Sequence, residues 1–284
     1  MAQPGSAARG ARGDSGIVYG LFAPNGPNLV APQFFGGAGA ETAKVLRGLD
    51  ISARNPDTIV VASPHWLAPE GFLVHTAVRP PCIHDYYGFP EEMYRIGYDA
   101  PGDPDLARIL VEAGQKEGLP VEGTTEWGLD HGAWTALYHV ASERRIPVVP
   151  LSIGHQSAQE HLRWGHAIGA ALAQSGRRVL FVGTGSIFHR FDRVDMSGRK
   201  RWPEAEAIEA DIIRLILARD ADALAAFDRR RWEEVAPEGD LGALFMLLGA
   251  LGGDFRARLV NNERVFGSFG MTVIEFLQPE RDEA

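Results

Sequence analysis

Short apolar runs rich in β-branched residues recur along the chain, each bounded by Gly, Pro or Asp. Runs of this length and composition, set off by turn-forming residues, are typical of buried strands. We therefore predict strands at Ile17–Phe22, Thr58–Ala62, Phe72–Thr76, Val148–Ile153, Val179–Val182 and Thr272–Leu277.

Helical periodicity fills the segments between these runs. In one of them Leu106, Ile109 and Leu110 fall on the same face of a helix, and Ser157 is a suitable N-cap for another. The final helical segment is apolar on nearly every side, so we expect it to be buried. The predicted helices are Asp103–Glu117, Ser157–Gln174, Ala205–Ala218 and Leu241–Leu251.

Strands that alternate with helices predict an α/β fold, here a single domain with a central mixed sheet flanked by helices. We expect this domain to span residues 17–284. Residues 1–16 are rich in Gly, Ala, Ser and Arg and lack the apolar stretch of a signal peptide, so we expect a disordered leader. In such folds, ligands bind where the carboxyl ends of the strands meet.

The net charge and the cysteine content limit the range of possible functions. The net charge of −9 argues against a nucleic-acid surface, which needs clustered Lys and Arg. The short basic stretch Arg199-Lys200-Arg201 is more typical of a solvated loop. Cys82 is the sole cysteine, which excludes an internal disulfide and favours a reducing, cytoplasmic setting. No apolar run approaches the roughly 20 residues of a membrane helix.

Polar side chains that bind metals or transfer protons follow several of the apolar runs. Taken singly, each has a simpler interpretation: a lone histidine is more often structural than a ligand, and an acidic residue before a helix is favoured by the helix dipole. Together, two imidazoles and a carboxylate at strand ends could form the three-ligand face that non-haem iron uses. The candidate residues in these segments are Asn25 and Asn28, the histidines His65, His131 and His189, and the carboxylate Glu238.

Four motifs in a fixed order make the chain resemble the class III extradiol ring-cleavage dioxygenases. That family includes protocatechuate 4,5-dioxygenase β subunits, 2-aminophenol dioxygenases and DOPA dioxygenases. The motifs are Ser63-Pro64-His65-Trp66, the run His84-Asp85-Tyr86-Tyr87-Gly88-Phe89-Pro90, Asp130-His131-Gly132-Ala133-Trp134, and the Gly183-Thr184-Gly185-Ser186 turn that precedes His189.

The resemblance implies an Fe(II)-dependent enzyme that opens a catechol or 2-aminophenol-like ring with O₂. It implies that His65 and Glu238 bind the metal, that His189 is the acid and base, and that His131 faces substrate or oxygen. Tyr86, Tyr87 and Asn28 are the residues expected to contact substrate. A homo-oligomer, with or without a homologous subunit, is expected from the same likeness.

The chain departs from the family pattern in the first loop. Family members have a histidine ligand there, whereas this chain has Asn25. An amide oxygen is a weak ligand for Fe(II), so three outcomes stay open: metal bound through Asn25, recruitment of another group such as His131, or no metal.

Two other functions are compatible with these residues. One is a repurposed enzyme that uses His189 and His131 as acid and base with little or no metal. The other is a non-catalytic partner subunit. The substrate's ring substituents are a separate question: Arg79, Arg190 and Arg193 could contact a carboxylate, although arginines so placed more often form surface ion pairs.

Overall fold

The computed structural model describes residues 15–253 and 255–278. Most of the expected leader lies outside the described residues. Its last two residues are described, and Gly16 already begins the first strand.

A single eight-stranded sheet runs through the described part of the chain. All six predicted strands are present, and most extend one or more residues further than predicted. The strands are β1 Gly16–Ala23, β2 Thr58–Ala68, β3 Phe72–His75, β4 Val121–Thr124, β5 Val148–Gly154, β6 Arg178–Thr184, β7 Arg256–Val265 and β8 Phe269–Leu277.

The sheet is mixed, as predicted. Its order is β4-β3-β5-β2-β6-β1-β8-β7, and the four central strands β5, β2, β6 and β1 run parallel. The strands β8 and β7 add antiparallel pairs at one edge, and β3 joins β5 antiparallel on the other side. The two strands that the sequence pattern missed, β4 and β7, are the edge strands.

Nine α-helices lie in the described segments, and they include all four predicted ones. The additional helices are short, between four and eight residues, apart from the ten-residue helix after Asp130. The helices are α1 Pro27–Val30, α2 Ala40–Arg47, α3 Pro104–Lys116, α4 His131–Val140, α5 Ala158–Gln174, α6 Pro203–Ala218, α7 Ala221–Ala225, α8 Arg229–Val235 and α9 Gly242–Leu251.

Helix starts follow the expected capping chemistry. The side chain of Asp103 accepts the backbone N–H of Leu106, and Ser157 forms a reciprocal capping box with Glu160. The predicted helix at Leu241 begins one residue later, because Leu241 has a left-handed backbone (φ 58°) and so cannot be part of the helix.

Both faces of the sheet are buried, each by its own set of helices. Along β2, Val60 and Ala62 pack into a core formed with α3, α5, α6 and α9, whereas Ile59 and Val61 pack into a second core with α1, α2 and α4. Burial on both faces explains why the central strands are continuous apolar runs. Among the described residues, no helix is long and apolar enough to cross a membrane.

The helices α5 and α9 approach closely because glycines face each other. A Cβ atom added at Gly165 would lie 2.2 Å from the carbonyl oxygen of Met246 and 2.9 Å from the Cα atom of Gly249. The two helix backbones can therefore come into contact at this crossing only because neither residue has a side chain.

We expect Gly165→Ala to lower the free energy of unfolding by about 1–3 kcal/mol, because overpacking must separate α5 from α9. Gly48→Ala is the matched control, since a Cβ there meets no atom closer than 3.4 Å. Chemical denaturation measures both variants. Equal stability of the two would contradict this account of the crossing.

Candidate active site

Three segments that are distant in sequence meet at the carboxyl ends of the parallel strands. They are the loop after β1, the end of β2 and the turn before α9. His65 Nε2 lies 3.0 Å from Glu238 Oε1, and Asn25 Nδ2 donates to Glu238 Oε2 at 3.0 Å. Glu238 therefore contacts both of the other residues that the sequence assigned to the metal site.

A bulge in β2 presents His65. Ser63 pairs with Ser152 on β5, and the next paired residue of β2 is Leu67 opposite Ile153, so residues 64–66 have no partner on that strand. Such insertions bend a strand and redirect its side chains. Gly132 leaves room for the imidazole, because a Cβ there would lie 2.7 Å from His65 Cδ2.

A left-handed turn positions Glu238. Its backbone N–H donates to Ser186 O at 2.9 Å, and Gly239, Asp240 and Leu241 all have positive φ. That conformation costs a non-glycine residue about 1–2 kcal/mol. The indole N–H of Trp232 donates to Asp240 at 2.8 Å and helps to hold the turn. Such local strain is common where a functional side chain must be aimed.

The first loop is packed against α4 and against itself. The N–H of Gly26 donates to Thr135 Oγ1 at 3.1 Å, which fixes the loop beside Asn25. Asn28 is buried between Gly26 and Gly39, where added Cβ atoms would lie 2.7 and 2.5 Å from its amide atoms. The amide of Asn28 thus supports the loop, and its contact with substrate stays a prediction.

Asp85 is a site residue that sequence reasoning did not single out. Its Oδ2 accepts from His65 Nδ1 at 2.8 Å, and its Oδ1 accepts the backbone N–H of His131 at 2.7 Å. A carboxylate behind a ligand imidazole fixes the ring's orientation and tautomer. The signal was available, since Asp85 lies within one of the four family motifs.

His131 begins α4 and lies against His65. The two ring centroids are 4.0 Å apart, and His131 Nδ1 is 2.9 Å from Asp85 Oδ1 without the alignment of a hydrogen bond.

Asp130, the N-cap residue of α4, is buried and accepts hydrogen bonds from Ala133 N and from Ser63 Oγ. Burial raises the pKa of the Asp130 carboxyl.

His189 follows β6 and approaches the same centre. Its backbone N–H donates to Val235 O at 2.9 Å. The centroid of its ring lies 4.9 Å from that of Phe191 and 5.1 Å from that of Phe269. The charge of His189 contributes to lowering the pKa of Glu238. The proposed proton-transfer histidine is therefore electrostatically coupled to the proposed carboxylate ligand.

The two tyrosines predicted to contact substrate differ in environment. The hydroxyl of Tyr86 donates to Met93 O at 3.1 Å, and its ring lies 5.4 Å from that of His131. Tyr87 is 87% exposed. His84 is held by Ile96 O at 2.6 Å and belongs to the loop. The role of both tyrosines in binding stays a prediction.

Two carboxylates determine the charge on His65. Burial by itself would lower its pKa, but hydrogen bonds to Asp85 and Glu238 outweigh burial and raise the pKa to about 10. Burial would likewise raise the pKa of Glu238, whereas the hydrogen bond from His65 and the nearby imidazoles lower it to about 2. Without a metal, the centre is an imidazolium held between two carboxylates.

The donor atoms fit a divalent ion. Two neighbouring ligands on bonds of about 2.1 Å at right angles lie about 3 Å apart, which matches the 3.0 Å between His65 Nε2 and Glu238 Oε1. Imidazole and carboxylate are donor types that non-haem iron accepts. Asn25 donates its Nδ2 to Glu238, so its amide would have to turn over to offer the oxygen to a metal. A second grouping, His65, Asp85 and His131, has ligand atoms within 4.8 Å of one another.

The family profile described as "Catalytic LigB subunit of aromatic ring-opening dioxygenase" matches residues 41–273, most of the chain. The chain belongs to this family. Asn25 and Asn28 precede the matched residues, whereas the other assigned residues lie within them. Membership of the LigB family confirms the likeness read from the four motifs.

Relatives of this LigB-family chain include proteins named as dioxygenases. The chain is 38% identical over 152 residues to a "4,5-DOPA dioxygenase extradiol" of Escherichia coli (strain K12), covering 53% of the chain and 54% of that protein. It is 28% identical to a protein of the same name from Mirabilis jalapa, covering 80% and 85%. A "2-aminophenol 1,6-dioxygenase beta subunit" of a Pseudomonas species is 26% identical, covering 61% and 63%.

The chain thus spans about half the length of the first of these relatives. A solved structure of an uncharacterized protein from Escherichia coli K12 has the same fold, with a TM-score of 0.67 at 24% identity, covering 91% of this chain and 99% of that one. The structural likeness supports the fold, and the family rests on the profile match.

The charged centre predicts a pH dependence of stability without metal. The pKa of His65 is raised from 6.5 to about 10, so its contribution is complete below pH 6.5 and is lost as the pH rises toward 10. The lowered pKa of Glu238 acts oppositely: its contribution is complete above pH 4.5 and is lost as the pH falls toward 2. Stability from this pair should be greatest between pH 4.5 and 6.5.

Chemical unfolding with a chelator present tests this at pH 5.5, 7.5 and 9.5. We expect the wild-type protein to lose on the order of 2 kcal/mol across this range relative to His65→Asn. His166→Asn, at an exposed histidine, should behave like the wild type. Parallel pH profiles for wild type and His65→Asn would show that the pair does not stabilise the fold.

Proposed function

We propose that this LigB-family chain is a ring-opening dioxygenase that uses Fe(II), O₂ and a catechol or 2-aminophenol-like substrate. His65, Glu238 and Asn25 would hold the metal. The observation that carries the proposal is the contact of Glu238 with both His65 and Asn25 at 3.0 Å, across three distant segments.

When bound, the iron supplies Lewis acidity and electron transfer to O₂, which the side chains alone cannot provide. The net reaction adds both atoms of O₂ to the opened ring and requires no external reductant. The work of the protein is to fix the ligands, orient the ring and move protons.

Asp85 has the first of these tasks. It accepts from His65 Nδ1 and so directs Nε2 toward Glu238. Because the same carboxylate accepts the backbone N–H of His131, it also ties the start of α4 to the site. Its lone pairs already face N–H donors, which favours an orienting role over direct ligation.

His189 is the group proposed to accept a proton from a ring hydroxyl and to return it later. Its ring is half-buried between two phenylalanines and is coupled to Glu238. An imidazole can change its charge near neutral pH, as general acid–base catalysis requires. His131, edge-on to His65, would polarise substrate or oxygen.

A second arrangement has a specific observation in its favour. The His65, Asp85 and His131 grouping could bind an ion on the Nδ1 side of His65, which is the recruitment of His131 that the sequence left open. A metal-independent enzyme that uses His189 and His131 is the remaining enzymatic alternative. The expected homo-oligomer stays a prediction.

Metal titration distinguishes these arrangements. Anaerobic Fe(II) titration should give one ion per chain, and Glu238→Gln should weaken binding by about 10–100-fold or more, because it removes a charged ligand. Asn25→His should strengthen binding by at least about tenfold, since imidazole replaces an amide.

Glu233→Gln is the matched control, at an exposed residue of the same region. If Glu238→Gln left the affinity unchanged while His131→Ala abolished binding, the ion would belong to the second grouping. The absence of stoichiometric iron, with or without catechol, would remove the metal-dependent proposal.

Proton transfer is tested by His189→Ala, which should reduce turnover of a catechol by roughly 10²–10⁴-fold while iron binding persists. His166→Ala removes an exposed histidine and should leave turnover unchanged. Oxygen consumption and product absorbance give the rates. A wild-type rate in His189→Ala would reassign His189 to a structural role.

A further inference from the structure

A continuous series of aromatic rings connects the two proposed catalytic histidines. Beginning at His131 and ending at His189, successive ring centroids are 5.4, 5.4, 5.5, 6.2, 6.4 and 5.1 Å apart. We call this series the aromatic arc; its members are Tyr86, Phe89, Phe35, Phe266 and Phe269.

The aromatic arc is assembled from separate parts of the chain. Phe35 ends the short 3₁₀ turn after α1, Phe89 lies in a loop between β3 and α3, and Phe269 is the first residue of β8. These three rings are only half-buried. The two ends of the arc reach the site, since Tyr86 contacts His131 and Phe269 contacts His189. Partly exposed apolar side chains next to polar groups are typical of a ligand-binding surface.

The backbone at Phe266 supports a functional role for the arc. Phe266 has a φ of 50°, a left-handed conformation that is rare for a bulky side chain and costs about 1–2 kcal/mol. It begins the turn between β7 and β8, where glycine would be unstrained. Strain of this kind is retained where a side chain must be aimed, and here the ring of Phe266 links Phe35 to Phe269.

The three arginines that the sequence offered as partners for a substrate carboxylate are paired with acidic side chains. Arg79 forms two hydrogen bonds with Asp99, at 2.8 and 2.7 Å. Arg190 likewise donates two hydrogen bonds to the carboxylate of Asp192, and Arg193 donates two to Glu234. The three cations that the sequence offered for a substrate carboxylate are therefore neutralised by the protein.

The centre itself is rich in carboxylate oxygens. Asp85 and Glu238 lie on opposite sides of His65, with oxygens 2.8 and 3.0 Å from its two ring nitrogens. A carboxylate brought beside them would lose its hydration without gaining a partner, which is costly.

We propose that the site selects a catechol-type ring with an uncharged, apolar substituent over one that carries a carboxylate, and that the aromatic arc contacts this substituent. The inference rests on the proposed function. It extends that function by naming the substrate class and Phe266 and Phe89 as residues that determine specificity.

The test compares 4-methylcatechol with protocatechuate, which carries a carboxylate in place of the methyl group. Binding is measured without O₂ by calorimetry on the Fe(II)-loaded protein and on protein with a chelator, and kcat/KM is measured with O₂. We expect 4-methylcatechol to be preferred by at least about tenfold in affinity and in kcat/KM.

Two variants locate the preference. Phe266→Gly removes the ring and relieves the left-handed strain, so the variant should fold, and Phe89→Ala removes a second ring of the arc. Each should weaken 4-methylcatechol binding by about five- to tenfold and leave protocatechuate unaffected. Phe34→Ala, at an exposed ring beside Phe35, is the matched control and should change neither.

The outcomes separate this inference from the proposed function. Opening of both rings with equal efficiency, or a preference for protocatechuate, would overturn the inference and leave the dioxygenase proposal standing. Selective binding of 4-methylcatechol that the arc variants weaken, with neither ring opened, would support the recognition surface and remove the dioxygenase proposal. If neither compound bound, both would be overturned.

Discussion

The organisation of the site depends on one imidazole held between two carboxylates. His65 contacts Asp85 through one ring nitrogen and Glu238 through the other. This interaction joins the bulge of β2, the loop that contains Asp85 and the turn before α9. Like charges on the two carboxylates would separate these segments, so a cation must lie between them, whether the proton on His65 or a bound metal ion. Metal binding and protonation therefore compete for the same nitrogen.

The sheet fixes where the site loops begin, and irregular backbone at two positions orients single side chains toward the site. Parallel strands buried on both faces fix the positions of the loop ends within one framework. The bulge after Ser63 and the left-handed turn at Asp240 then direct single side chains inward, at the cost of lost pairing and backbone strain. Burial of the helix α9 against α5, permitted by Gly165, offsets part of that cost.

The sequence pattern predicted the elements whose burial is uniform and missed those whose burial is partial. Central strands appear in the sequence as continuous apolar runs, and long amphipathic helices appear as apolar residues repeated at helical spacing. The edge strands do not: β4 has one buried residue of four, and β7 has one of ten. The family motifs identified His65 and His131, and the wider resemblance assigned Glu238. The fold places both His131 and Glu238 against His65. Asp85 was overlooked because its importance depends on two histidines, 20 and 46 residues away.

The sequence by itself determined the fold class, the family and the candidate residues, because these depend on local periodicity and on the order of motifs. Only the tertiary structure decided which residues share a contact. It showed Asn25 and His65 on the same carboxylate, Arg79, Arg190 and Arg193 committed to acidic partners, and a series of rings between two histidines. Such facts depend on distances between residues far apart in the chain, and no local pattern of side chains encodes a distance.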